Sequence, residues 1–316
     1  MLLHQERMRL SELGVLNTKI SEELYHKYYY TLFEFAKDLK NSNVEQIVIK
    51  DDSVVIRSRK ENILLNCLEG EMTSALGQLI MAGTENAEQE MMTALLGEII
   101  KRKGGDPYDT FFCDIGANIG WYSIYFGKKF KNMQIHAFEP IQTTYEQLLK
   151  NMKLNGSIHV RANNFGLADT RGTAEFYVCP SLLAASSLAD TYQISGKTKV
   201  RAEIRTLDDY CHENDLTPDF IKCDVEGAEL LVFKGAEKTL ANAKPVVVAE
   251  LLRKWSKCFE YHPNDVIELF RKNQFSCYTI EGDSLKVCEA VTDETVETNF
   301  FFLHDRLHRD LLGIHI

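Results

Sequence analysis

Residues 111–123 read FFCDIGANIGWYS. A short apolar run carrying one acid, Asp114, passes within five residues into Gly116, Asn118 and Gly120. Glycine weakens the interiors of helices and strands alike. Two of them at this spacing therefore mark a place where the backbone turns tightly and something comes close to it. The stretch predicts a buried strand over 110–115, a turn, and a helix opening on Trp121 and Tyr122, both read as core residues.

Working outward, strands are expected at 110–115, 133–139, 157–163, 220–225, 244–251, 275–281 and 299–304. YSIYFGKKF and TTYEQLLKNMKLN separate the first three as helices. AELLVFKGAEKTLAN follows the fourth strand as one helix, and NDVIELFRKNQ follows the fifth. Runs such as PVVVAELL (245–252) suit strands covered on both faces. The order predicts an α/β fold, a mostly parallel sheet wound on both sides with right-handed crossovers. NFFFLH (299–304) is expected to close it as a last, antiparallel strand. Segment 172–206 interrupts the rhythm with an extra pair of strands joined by a Ser-rich loop. Before residue 83 the pattern differs. Leu24, Tyr28, Leu32, Phe35 and Leu39 fall at helical spacing over 20–40, with Ser21 as cap, and 45–59 alternates as a hairpin around Asp51-Asp52. GTENAEQEMMTALLGEIIKRKGG (83–105) predicts a helix capped by Asn86 and stopped by Gly104. The expected division is an accessory helix and hairpin region at 1–82 and a catalytic domain at 83–316. The accessory part would cover an acceptor site or build a homo-oligomer, and the Tyr28–Tyr30 run reads as packing or oligomer contact.

The chain has 316 residues, 45% apolar and 26% charged, with a formal net charge of −10. An acidic balance argues against nucleic acid as partner, because phosphate neutralisation needs clustered Lys and Arg. The charged first ten residues lack an apolar core of signal-peptide length, and no stretch reaches the ~20 apolar residues of a membrane span. The eight cysteines form no C-x-x-C pair. They predict buried free thiols in a reducing cytoplasm rather than a zinc site.

In open α/β sheets the ligand crevice lies beyond the carboxyl ends of the strands. Asp114 to Gly120 stands at one such end. Glu139, about 20 residues past Gly120, ends the next strand, where an acid is placed to hold ribose hydroxyls. This spacing fits dinucleotides and S-adenosylmethionine. D-x-G-x-N-x-G falls short of the G-x-G-x-x-G of pyrophosphate sites, however, and Asp114 suits an ammonium or sulfonium better. Asp224 and Glu226 end the fourth strand, Glu229 starts the next helix, and Glu250 ends the fifth strand. Carboxylates crowded on one rim repel and shift upward in pKa unless a sulfonium, a metal ion or a lysine relieves them.

Together DIGANIGWYS (114–123), FEP (138–140), LLKNMKLNG (148–156), TLDDY (206–210), FIKCDVEGAELLVFKGA (220–236) and KPVVVAEL (244–251) resemble the FkbM family of S-adenosylmethionine-dependent methyltransferases. The resemblance covers roughly 83–281, and KCDVEGAE is its most family-specific piece. It implies a Rossmann-like class I methyltransferase sheet, with S-adenosylmethionine as cofactor and S-adenosylhomocysteine as product. Asp114, Gly116, Asn118 and Gly120 would line the methionine part of the cofactor, and Glu139 would bind the ribose. ANNFGLAD (162–169) would border the adenine, leaving open whether Asn163 or Asn164 makes the contact. Asp224 is placed to touch the cofactor as well. Many family members methylate hydroxyls of sugars, glycoconjugates or natural-product intermediates, so the expected acceptor is a small molecule or glycan.

A sugar hydroxyl is a poor nucleophile, and a base in reach helps by about 10²–10⁴-fold. Asp224, Glu226 or Glu250 would supply it, or would hold a divalent ion such as Mg²⁺ that acidifies the hydroxyl. His262 is a further candidate, with a surface or capping role beside it. Structural readings stand next to the others: Glu226 and Glu229 also favour the positive end of the following helix, and Ser186 and Ser187 read as solvated loop residues. Two other functions fit the same fold, a sugar-modifying enzyme using an NAD-type dinucleotide and a non-catalytic nucleoside-binding protein.

Overall fold

The computed structural model describes residues 3–15, 17–40, 42–49, 53–67, 86–157, 159–179, 182–190 and 197–316. Its centre is an eight-stranded sheet built from β4 (Phe111–Ile115), β5 (Gln134–Phe138), β6 (Val160–Asn163), β11 (Phe220–Cys223), β12 (Val246–Glu250), β13 (Phe275–Glu281), β14 (Ser284–Val287) and β15 (Asn299–His304). The order is β14-β13-β15-β12-β11-β4-β5-β6. Strands β6, β5, β4, β11 and β12 run parallel, while β15 pairs antiparallel with both β12 and β13. The expected last strand is thus not at the edge. It is inserted between β12 and β13, and β14, which returns from β13 as a hairpin, forms the border.

Alternate residues of each central strand feed opposite cores, as the two-residue period of a strand requires. Phe112, Phe220, Val246 and Val248 pack with α3 (Asn86–Arg102), α4 (Trp121–Lys129) and α5 (Gln142–Asn155) on one face. Phe111, Cys113, Ile115, Ile221, Val247 and Ala249 pack on the other with α6 (Leu207–Glu213), α7 (Glu229–Lys234), α8 (Glu237–Asn242) and, beyond the short α9 (Arg253–Ser256), α10 (Pro263–Lys272). The expected single helix over 228–242 is two, α7 and α8. A Cβ on Gly235 between them would lie 2.0 Å from the Ala168 carbonyl oxygen, so the chain presses there against its neighbour and the helix breaks. Trp121 is core, as read, and its indole Nε1 donates to Gln89 Oε1 at 2.8 Å, joining α4 to α3.

The interruption at 172–206 is a second sheet. It consists of β7 (Gly166–Leu167), β8 (Gly172–Cys179), β9 (Leu182–Ser187) and β10 (Thr198–Arg205), in the order β7-β10-β8-β9. Beyond the expected pair, β8 and β10, it gains β9 from the segment read as a loop and β7 from the stretch just before it. Towards the N-terminus lie α1 (Leu3–Glu12), α2 (Thr18–Leu39) and a three-stranded antiparallel sheet of β1 (Val44–Ile49), β2 (Val54–Ser58) and β3 (Leu64–Cys67). The hairpin is present over β1 and β2, although Asp51-Asp52 lies outside the described residues. Asn17, not Ser21, caps α2, because its side chain sits before the first turn and accepts from Ile20 N at 3.0 Å. The expected apolar face of α2 is buried at Leu24 and Leu39, whereas Leu32 and Phe35 are exposed. The start of α3 adjoins undescribed residues, so the capping role of Asn86 falls outside the description.

Three amides spaced four apart on α5, Gln147, Asn151 and Asn155, tie the small sheet to the large one. Asn155 Oδ1 accepts from Leu64 N at 2.9 Å and Asn151 Oδ1 from Asn66 N at 2.8 Å, while Gln147 donates to the Asn66 carbonyl. The helix thus takes the place of a fourth strand along the edge of β3, whose open N–H and C=O groups would otherwise be buried without partners. Among the described residues no helix is long and apolar enough to cross a membrane.

The two loops that leave β4 and β11 touch. Gly116 has φ +77°, and a Cβ there would lie 1.8 Å from the Asp224 carbonyl oxygen. Gly116→Ala is expected to cost about 2–5 kcal/mol, the sum of left-handed strain and overpacking. Gly97→Ala, in open space within α3, should instead stabilise by ~1 kcal/mol. Chemical denaturation of the two variants against wild type measures both.

Candidate active site

A cavity of about 270 Å³ opens beyond the carboxyl ends of β4, β5, β11 and β12. Four carboxylates, Glu139, Asp224, Glu226 and Glu250, face it together with Gly116, Asn118, Gly166, Leu167, Phe176, Ser186, Ser187 and Trp255. Among the described residues its wall carries no lysine, arginine or histidine.

Sequence reasoning placed eight residues around a cofactor. Gly116, Asn118, Glu139 and Asp224 line the cavity, and Asp114, Gly120, Asn163 and Asn164 do not. Asp114 is buried and turns toward α4, where Oδ2 accepts from Ser123 Oγ at 2.6 Å and Oδ1 has no partner. Gly120, with φ +91°, lets the chain enter α4 against Leu148. The Asn163 amide donates to the carbonyls of Ala137 and Arg161, and that of Asn164 to Glu139 and Pro140. Both asparagines hold backbone, while Gly166 and Leu167 from the same stretch reach the cavity.

Glu139 also fixes the turn that the opening motif announced. Its Oε2 accepts from Asn118 N at 3.1 Å and its Oε1 from Ile141 N at 2.9 Å. Burial lifts its pKa to about 7, against the pull of those two N–H groups. Asn118 has φ +49°, and its Oδ1 is buried without a partner. Such an acceptor suits a ligand that brings N–H or N⁺–H donors.

The three carboxylates expected to do the chemistry all line the cavity. Glu226 sits in the left-handed region at φ +57° and Gly227 follows at +106°. The loop carrying them is clamped from beneath by Glu229, whose Oε1 accepts from Val225 N and Gly227 N, both at 3.1 Å. Tyr261 adds hydrogen bonds to the Gly227 carbonyl at 2.9 Å and to Glu229 Oε2 at 3.1 Å. Glu229 is itself buried, which raises its pKa to about 7. It starts α7 as read, but its carboxylate holds the loop, a role the sequence reading did not assign. The spacing E-G-A-E, with an acid three residues after the tight turn, was the available signal.

Lys222 supplies the relieving cation. Its Nζ lies 2.9 Å from Asp224 Oδ2 and 4.6 Å from the centre of the Tyr122 ring, and its side chain is only 7% exposed. Burial works to raise the Asp224 carboxyl, but the Lys222 charge and hydrogen bonds from Lys222 and Glu250 outweigh it and hold the group below the usual range. Burial also opposes the Lys222 charge, and Asp224, Asp114 and Glu250 overcome it and raise the ammonium pKa. Glu250 goes the other way. Burial, the Asp224 charge, the shared hydrogen bond and Glu226 push it far above an ordinary carboxylate. The upward shift expected for a crowded rim therefore holds for Glu250 and not for Asp224. Asp224, one of the acids expected to hold a divalent ion, is instead paired to the Lys222 ammonium. Among the described residues no group of three His, Cys, Asp or Glu side chains is arranged to hold an ion.

Ser186 and Ser187, read as solvated, form part of the cavity wall, with Ser187 Oγ donating to the Glu226 carbonyl at 2.8 Å. The pairing of β9 with β8 brings them there, and a Ser-rich stretch gives no periodic signal of such pairing. His262 caps α10 in a reciprocal box with Asp265 and is absent from the cavity wall.

The methyltransferase FkbM domain matches residues 114–277, just over half of the chain. The methyltransferase sdnD of Sordaria araneosa is 32% identical over 161 residues, covering 42% of this chain and 62% of that protein. The hexuronic acid methyltransferase AglP of Haloferax volcanii is 28% identical over 163 residues, covering 51% and 61%. The chain therefore spans less than two thirds of the length of these curated relatives. Among solved structures, the FkbM methyltransferase of Methylobacillus flagellatus superposes with a TM-score of 0.41 at 17% identity, covering 62% of this chain and 44% of that one. With its sheet order and its matched domain, the chain belongs to the FkbM methyltransferase family.

Proposed function

We propose that this protein is an S-adenosylmethionine-dependent methyltransferase acting on a hydroxyl of a sugar or glycoconjugate. The observation that carries the reading is the acidic lining of the cavity, where Glu139, Asp224, Glu226 and Glu250 face one space and, among the described residues, no lysine, arginine or histidine stands in the wall. Such a wall attracts a sulfonium and repels the pyrophosphate of a dinucleotide. The relative named as a hexuronic acid methyltransferase supports a carbohydrate acceptor. Seven of the cysteines are free thiols, which fits a cytoplasmic setting.

When bound, S-adenosylmethionine supplies an activated methyl group on a sulfonium that leaves as a neutral thioether. Glu139 keeps lone pairs beyond its two backbone bonds and accepts the ribose hydroxyls. Asn118 Oδ1 and the Asp114 carboxylate behind it attract the cofactor's ammonium. Gly166, Leu167 and Phe176 offer an apolar shelf for a flat base. Across the cavity Asp224, Glu226 and Glu250 face the acceptor hydroxyl, with Ser186, Ser187 and Trp255 closing that side. Holding two reactants in line is worth roughly 7–11 kcal/mol, and the rigid, doubly clamped loops are built for that.

Calorimetry with S-adenosylhomocysteine against NAD tests the reading. Heat from the first and none from the second is expected, and the reverse makes the protein a dinucleotide enzyme. Because a ribose diol donates to ionised Glu139, affinity should fall as pH drops below about 7, about tenfold per unit. Glu139→Gln should bind weakly at every pH. With a sugar acceptor in hand, Asp224→Asn and Glu250→Gln should each lower kcat by about 10²–10⁴-fold. A chelator should leave wild-type turnover unchanged. Heat from S-adenosylhomocysteine without methyl transfer to any glycan fraction identifies a nucleoside-binding protein instead.

A further inference from the structure

β13 and β14 form the border hairpin of the large sheet. Their register pairs Tyr278 with Val287, so the next step of the ladder sets Cys277 opposite Cys288. A backbone hydrogen bond marks that step, with Cys288 N donating to the Cys277 carbonyl at 2.8 Å. Directly opposed residues of an antiparallel pair point to the same face, and at a hydrogen-bonded position their Cα atoms stand about 5.5 Å apart. A disulfide bridges Cα atoms about 4.4–6.8 Å apart. Both cysteines are free thiols and both meet one apolar core, Cys277 at 3% exposure and Cys288 partly buried against the same cluster. The two are unequal. Burial encloses Cys277 and pushes its thiol far up. Cys288 is partly open to solvent, and a hydrogen bond from Cys277 brings its thiol down to about 7 against burial, Glu297 and Glu289. Neither residue lines the acidic cavity.

We propose that Cys277 and Cys288 form a thiol–disulfide exchange site that takes a low-molecular-weight disulfide as oxidant, with Cys288 as the attacking sulfur and Cys277 as the resolving one. The thiolate is the nucleophile in such exchange, and of the two sulfurs only that of Cys288 is placed to meet a reagent from solvent. The Cys288 thiolate attacks one sulfur of the small disulfide. A bond forms to that sulfur, the original sulfur–sulfur bond breaks, and the departing thiolate takes up the proton that Cys288 had released. Cys277 then attacks Cys288 Sγ, and its proton goes to the second departing thiolate. Two protein thiols are oxidised to one disulfide while the small disulfide is reduced to two thiols, so the electrons balance without a further reagent. The second step is intramolecular across a ladder already in register, which favours closure over a lasting mixed disulfide. At the border β14 has a single strand neighbour, so the hairpin alone takes up the adjustment that a bridge requires.

Peptide mapping by mass spectrometry tests this on the native, full chain treated with hydroxyethyl disulfide, a neutral probe that Glu289 and Glu297 do not repel. Trypsin cuts after Lys272, Lys286 and Arg306, so a bridge joins peptide 273–286 to peptide 287–306. Wild type should yield the joined pair, lighter by two hydrogens than the separate peptides, and dithiothreitol should part it. Cys277→Ser should stop at a mixed disulfide on Cys288. Cys288→Ser should lose the reaction at Cys277, and any adduct on the exposed Cys258 falls on a different peptide. Peptides 273–286 and 287–306 recovered unjoined from treated wild type overturn the assignment, as does Cys288 joined to another cysteine. Both outcomes are read on wild type, so they decide even if neither variant folds. An adduct on Cys277 forming as fast in Cys288→Ser as closure does in wild type overturns the order of attack.

Discussion

A buried ammonium is stable only where carboxylates surround it, and crowded carboxylates are stable only around a cation. At the tips of β4, β11 and β12 each condition is met by the other. Lys222 is almost wholly buried, a state that costs several kcal/mol per ion before its contacts are counted. Asp224, Asp114 and Glu250 offset that cost. Removing one member of such a cluster typically costs about 3–5 kcal/mol, because the other is left buried and unpaired. The cavity's acidity therefore has its anchor beneath the wall rather than in it.

The loops that carry the acids are held by further acids. Glu139 bridges the glycine turn and the start of the β5–α5 connection through two backbone N–H groups. Glu229 does the same for Val225 and Gly227. A carboxylate accepting backbone N–H bonds is a stiff support, since each bond is charge-assisted and directional. The contact between Gly116 and the Asp224 carbonyl leaves no room for either loop to shift inward. Close approach, and not freedom of motion, is what the first glycine of the motif provides.

Much of this was legible in the chain. Apolar runs of four to six residues placed β4, β5, β11 and β12, because strands buried on both faces have little polar interruption. Acids at their ends marked the cavity. What the sequence hid is non-local. Gly120 looks like part of a cofactor loop, yet its lack of a side chain makes room for Leu148, distant in the chain. Asn163 and Asn164 look like ligand contacts, but amides near strand ends serve equally to hold loose carbonyls. Ser186 and Ser187 reach the cavity through an edge pairing that no periodicity announces. Lys222 was in view throughout, inside the most distinctive motif, but a lysine in a strand gives no sign of whether it faces solvent or a carboxylate cluster.

The same raised carboxyls bear on stability. Glu139 and Glu229 titrate near 7 in the folded chain against an ordinary 4.5. A carboxyl raised on folding binds its proton more tightly in the native state, so the native state gains relative to the unfolded one at low pH. That gain shrinks as pH climbs from 4.5 and is gone above 7, where both groups are ionised inside the protein. A cation entering the cavity favours the ionised form of Glu139 and reverses this loss locally. Glu229, facing the loop backbone and not the cavity, gains nothing directly. Below about 7 Glu139 thus holds a proton where a bound cation would favour its charge.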